Sequence, residues 1–96
     1  MEDRFYLINL FDIYGELLTE KQQNYFQEYY FNNLSLTEIA ENNQVSRNAI
    51  HKHIKESINN LTNYEEILKL FNKNKKILKL ISNIDEKVKQ QIIDIL

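Results

Sequence analysis

Apolar side chains recur along this chain at steps of three and four residues, the period that places them on one face of an α-helix. Leu7, Leu10, Phe11, Tyr14, Leu17 and Leu18 form the first face, which loosens around Gly15. Thr19 with Gln22 is a capping-box pair, in which hydroxyl and side-chain amide satisfy free backbone N–H groups reciprocally. It opens a second helix whose Tyr25, Phe26, Tyr29 and Tyr30 make an aromatic face. At helical spacing such a face belongs to a core rather than to stacked bases. Asn32-Asn33 closes the helix with residues that tolerate a left-handed conformation.

Ser35-Leu36-Thr37-Glu38 is a second capping box, and Leu34 and Ile39 hold the two positions of a hydrophobic staple. The helix it opens is short, ending at the polar turn Asn42-Asn43-Gln44. Ser46 caps the next helix, with Val45 and Ile50 as its staple. That helix is predicted from Arg47 to about Asn60, with Ile50, Ile54, Ser57 or Ile58, and Leu61 inward. Its other face carries Arg47, Asn48, His51, Lys52 and Lys55. A short capped helix, a polar turn and a longer helix with outward donors is the sequence form of a helix-turn-helix. Arg47 and Asn48, near the helix start beside Ser46, suit base edges, bidentate to guanine and adenine respectively. Lys52 and Lys55 suit phosphates, and the helix N-terminus adds its positive end.

From Tyr64 onward the apolar residues fit heptads, with Tyr64, Phe71, Leu78 and Ile92 at one position and Ile67, Ile81, Val88 and Ile95 at the other. Asn74 and Asp85 interrupt the pattern. Either Ser82-Asn83 and Asp85-Glu86 cap a separate last helix, making a hairpin, or one long bent helix continues. The stripe is more apolar surface than a small hairpin hides alone. Phe71, Leu78, Ile81, Val88, Ile92 and Ile95 are therefore expected at a homodimer interface. The alternative is that they fold back on the first two helices and complete a monomeric core. Lys69, Lys73, Lys75, Lys76 and Lys79 line this stretch. Most of such a run is a solvated face, with Lys69, Lys73 and Lys76 as candidate contacts to phosphate of DNA or RNA.

The 96 residues suffice for one small core. The expected fold is all-α: a four-helix unit over residues 1–61 and a helical extension over 62–96. One glycine, no proline and no cysteine exclude glycine-rich phosphate loops and thiolate chemistry, and disfavour tight β-hairpins. His51 and His53 are two residues apart and point to different sides of a helix, which opposes a metal site. The carboxylate pairs Glu65-Glu66 and Asp85-Glu86 are expected at helix starts, where acids complement the dipole. No nucleophile, base and orienter combination is visible, so neither an enzyme nor a cofactor is expected. No stretch is long and apolar enough to insert in a membrane, and the N-terminus lacks the form of a secretory signal, which points to the cytoplasm.

Net charge is −2, a total that conceals a division. Residues 1–46 hold two basic and eight acidic side chains, a net of −6. Residues 47–96 hold ten basic and six acidic, a net of +4. An anionic partner would be met by the second half.

The Ser35-Leu36-Thr37-Glu38-Ile39-Ala40-Glu41 and Val45-Ser46-Arg47-Asn48-Ala49-Ile50 stretches resemble the promoter-reading helix-turn-helix region of bacterial sigma factors. A closer likeness, over roughly residues 7 to 70, takes in Phe11-Asp12-Ile13-Tyr14-Gly15 and Leu61-Thr62-Asn63-Tyr64-Glu65-Glu66-Ile67-Leu68, and is to the YlxM family. These small bacterial proteins are encoded beside the GTPase of the signal recognition particle. The resemblance implies a sigma-like helix-turn-helix, a bend at Gly15, and a regulatory or accessory role in that pathway. Of the reading residues, Ser46 and Arg47 match the family pattern. Two classes of partner follow: double-stranded DNA, or the particle's GTPase or RNA with the helix-turn-helix kept as scaffold.

Overall fold

The computed structural model describes residues 3–96 and is all-helical over them. In chain order the elements are α1 (Arg4–Tyr14), a single 3₁₀ turn (Gly15–Leu17), α2 (Glu20–Tyr30), α3 (Leu36–Asn43), α4 (Arg47–Leu68), α5 (Leu70–Leu80) and α6 (Glu86–Ile93).

The caps set these limits. The Thr19–Gln22 and Ser35–Glu38 capping boxes both form in full, opening α2 and α3. Asn33 takes the left-handed conformation after α2, at φ 58°. Gly15 is helical, with φ −55°, so the bend does not draw on glycine's freedom at positive φ. The glycine bears instead on space: a Cβ there would lie 3.1 Å from the Phe11 ring, which would have to give by a few tenths of an ångström. The turn also swings Leu17 outward. It is exposed, while Leu18 is buried, so Leu17 does not belong to the core face on which its spacing had placed it.

Helix α4 is the spine, packed by α1, α2 and α3. Leu7, Leu10, Tyr14, Phe26, Tyr30, Ile39, Ile50, Ile54 and Leu61 form one buried cluster around it. Phe26 stacks on Phe11 at 4.6 Å between ring centroids and meets Tyr30 at 4.5 Å. The aromatic face of α2 is thus core, although Tyr29 is only half-buried. Ser57 is the residue directed inward near the middle of α4, donating to the His53 carbonyl at 2.8 Å, while Ile58 is half-buried.

Beyond Asn60 the chain departs from the expected outline. Helix α4 runs unbroken past the 61/62 position to Leu68, and the bend comes at Lys69, a lysine in the left-handed region (φ 57°). Helices α4 and α5 are separated by that one residue, and Asp85 caps α6 as a further separate helix, its carboxylate accepting from the Val88 N–H. The stripe does not fold back as a whole. Phe71 meets Tyr6 edge-on at 5.6 Å, but α5 and α6 contain no buried residue. The radius of gyration is 16.4 Å and the longest extent 53 Å, against about 12.5 Å for the radius of a compact chain of this length. The last third is an arm.

Candidate nucleic-acid interface

The helix-turn-helix consists of α3, a tight turn and the first half of α4. The turn is shorter than its polar residues suggest, because α3 runs through Asn42 and Asn43. Asn43 is held by bonds to the Ile39 carbonyl (2.8 Å) and the Glu28 carboxylate (3.2 Å). Gln44 reverses the chain at φ 56°. The Val45 N–H donates back to the Ala40 carbonyl at 3.1 Å. Ser46 then starts α4, its hydroxyl accepting from the Ala49 N–H at 3.0 Å. Ile39, Ala40, Ile50 and Ile54 are buried behind the turn, so α4 leaves it in a fixed direction.

Arg47, Asn48, His51, Lys52 and Lys55 are all exposed along the first half of α4, as is Ser46 at its cap. At about 100° per residue, Asn48, Lys52 and Lys55 run along the outermost line, with Arg47 and His51 a step to one side. That side borders a groove of about 690 Å³, where His51 and Lys55 stand over Tyr29, Leu36, Ile54 and Ile58. Residues 47–55 carry three cations and no carboxylate. The surface is therefore a rigid row of donors beside a helix N-terminus, suited to phosphates and base edges.

The two histidines part company. His51 is exposed, whereas His53 is half-buried against Tyr25, 5.3 Å between rings, with its Nδ1 enclosed and lacking a hydrogen bond.

Lys69, Lys73 and Lys76 are exposed but lie on the arm, past the bend, and do not extend the α4 row. Counted by element, α4 is neutral over residues 47–68 with three basic and three acidic side chains. The arm, residues 69–96, holds seven lysines against three acids, a net of +4. Of the residues expected at a dimer interface, Leu78, Val88 and Ile95 are exposed, Phe71 and Ile92 half-buried, and Ile81 buried within the single chain.

A feature that capping rules did not reveal holds the arm in place. Lys69 gives α5 no side-chain cap. Instead the Leu70 N–H donates to the Tyr14 hydroxyl (3.0 Å), and the Phe71 and Asn72 N–H groups donate to the two oxygens of Glu65 (3.0 and 3.1 Å). The Tyr14 hydroxyl itself donates to Glu65 at 2.7 Å. Glu65 is thus not at the start of its own helix, as its pairing with Glu66 suggested, but in the last turns of α4, from which it caps α5. Burial, and then the bond to Glu65, push the Tyr14 phenol above its usual range, against the Leu70 N–H, which lowers it. Asp85 and Glu86 do stand at a helix start.

No described helix is long and apolar enough to cross a membrane. Residues 1–95 match the family model described as "Putative helix-turn-helix protein, YlxM / p13 like". Among relatives, a UPF0122 protein of Malacoplasma penetrans is 53% identical over 77 residues, 77% of this chain and 72% of its own. One of Fusobacterium nucleatum is 44% identical over 80 residues, 83% of this chain and 78% of its own. One of Clostridium botulinum is 45% identical over 91 residues, 95% of this chain and 84% of its own. With the capped helix-turn-helix in place along a match of nearly the whole length, the chain belongs to the UPF0122 family of YlxM- and p13-like helix-turn-helix proteins.

Proposed function

We propose that this chain is a cytoplasmic, non-enzymatic regulator that binds double-stranded DNA through the first half of α4 and acts as a homodimer. The observation that carries this reading is the exposed row of Arg47, Asn48, His51, Lys52 and Lys55 on a helix whose back is buried. Arg47 and Asn48 read base edges, Lys52 and Lys55 hold phosphates, and Ser46 retains a hydroxyl proton for a phosphate oxygen. The exposed apolar residues of the arm, Leu78, Val88 and Ile95 among them, support pairing of two copies.

One observation favours a second reading, as an accessory of the signal recognition particle acting on its RNA or GTPase. The net positive charge lies on the arm rather than on α4, and Lys69, Lys73 and Lys76 there would meet RNA phosphates. Titration of duplex DNA, the particle's RNA and its GTPase at several salt concentrations separates the two. The first reading expects DNA affinity that falls steeply with salt, and an Arg47→Ala variant weaker by about tenfold or more, on the order of one lost bidentate contact. Salt-insensitive, weak DNA binding beside tight binding to the RNA or GTPase would establish the second instead.

A further inference from the structure

We propose that the arm of one copy docks on the α1–α2 face of a second copy, and the arm of the second on the first, so that the dimer forms by reciprocal exchange rather than by arm meeting arm. This rests on the dimer reading above and specifies its surface.

Charge decides between the two geometries. The arm carries +4, and its charge is concentrated on residues 69–79, which hold five lysines and no acid, whereas residues 80–96 hold two lysines and three acids; pairing α5 with α5 would therefore bring like charges together. Residues 3–43, which form α1 to α3, carry seven acidic and two basic side chains, a net of −5. Helix α5 and the body are complementary; α5 and α5 are not.

The α1–α2 face also has the right relief. A shallow cleft of about 320 Å³ there is lined by Phe11 and Phe31 together with Asp12, Glu16, Gln23 and Gln27. Phe31 is 47% exposed, its ring 5.7 Å from that of Phe11, and Gly15 leaves the Phe11 ring in the space a Cβ would crowd. Asp12 and Glu16, both exposed, are four residues apart and edge this aromatic floor. On α5 the matching elements are Leu78, 43% exposed, and, along one side of it, Lys75 and Lys79, which are exposed and again four residues apart. A leucine with two lysines along one side of it fits an aromatic floor edged by two carboxylates. Lys73 and Lys76 lie on another side of α5 and stay outward. Within one chain the Tyr14–Glu65 bonds fix the start of α5 beside Tyr6, and beyond Phe71 the Leu78, Val88 and Ile95 side chains of the stripe are left exposed. Two-fold exchange uses the same pair of patches twice, as a closed dimer requires.

Charge reversal tests this in the intact chain, by sedimentation equilibrium at low salt. The wild type is expected at about 23 kDa, twice 11.6 kDa. Asp12→Lys with Glu16→Lys, and separately Lys75→Glu with Lys79→Glu, are each expected to weaken dimerisation by about tenfold or more. All four positions are exposed, and an unchanged helical circular dichroism spectrum confirms that each variant folds. Mixed in equal amounts, the two variants should recover the dimer, because reversed arm then meets reversed body and native arm meets native body. A dimer undisturbed by Asp12→Lys/Glu16→Lys overturns the exchange and leaves arm-to-arm pairing. A wild-type monomer at tens of micromolar overturns the dimer itself.

Discussion

Replacing Phe26 by alanine is expected to cost about 3–5 kcal/mol, the range for deleting a fully buried aromatic ring. Phe26 is inaccessible to solvent and is the hinge of the aromatic cluster, stacked on Phe11 from α1 and against Tyr30 on its own helix. Its loss opens a cavity between α1, α2 and α4 that the surrounding rings cannot close without leaving their contacts. A domain of this size has a total stability of about 5–15 kcal/mol, so the variant sits near the edge of folding. Urea unfolding followed by circular dichroism measures the loss. Tyr29→Ala, on the half-buried flank of the same helix, should cost less than half as much. Equal costs would mean that the face is not organised around Phe26.

Glu65→Ala is expected to cost about 2–4 kcal/mol, because it strands the Tyr14 hydroxyl and the N–H groups of Phe71 and Asn72 that the carboxylate now accepts. Glu65→Gln keeps an acceptor oxygen and should cost about 1 kcal/mol. The loss should be local as well as global: with α5 uncapped at Lys69, where the backbone is already left-handed, proteases that cut after lysine should cleave there first. Tyr14 adds a dependence on alkaline pH. Its folded pKa is raised above the unfolded value near 10. Its contribution is therefore fully present below pH 10 and is lost as pH rises through the folded value. Tyr30, raised mainly by burial and further by Tyr29, acts in the same direction. The contribution of these two phenols should be constant below about pH 10 and fall above it.

The features written in local sequence were legible. Thr19, Ser35 and Ser46 mark helix starts because capping needs only residues three apart, and each forms the predicted bond. The donors of α4 were legible because one residue in a regular helix fixes the direction of the others. What escaped depends on long-range contact. Tyr14 and Glu65 are 51 residues apart, and nothing near Lys69 in sequence shows that its missing cap is supplied from α1 and the end of α4. The same gap hid the true bend, which falls at Lys69 and not after Asn60, where the helix was expected to end. Leu17 misled for a local reason, because the 3₁₀ turn after Gly15 breaks the 100° step on which the face was counted. The division of charge was counted by halves of the chain, and only the helix limits show that the net positive charge of the second half lies on the arm while α4 is neutral.

The most direct test of the α4 reading is a map of where duplex DNA touches the protein. With ¹⁵N-labelled chain and a duplex rich in potential half-sites, amide shifts of Ser46 to Lys55 should move together on titration, and should return as salt is raised. Perturbations confined to the arm lysines between Lys69 and Lys79, with residues 46–55 unmoved, would contradict the account and assign anion binding to the arm.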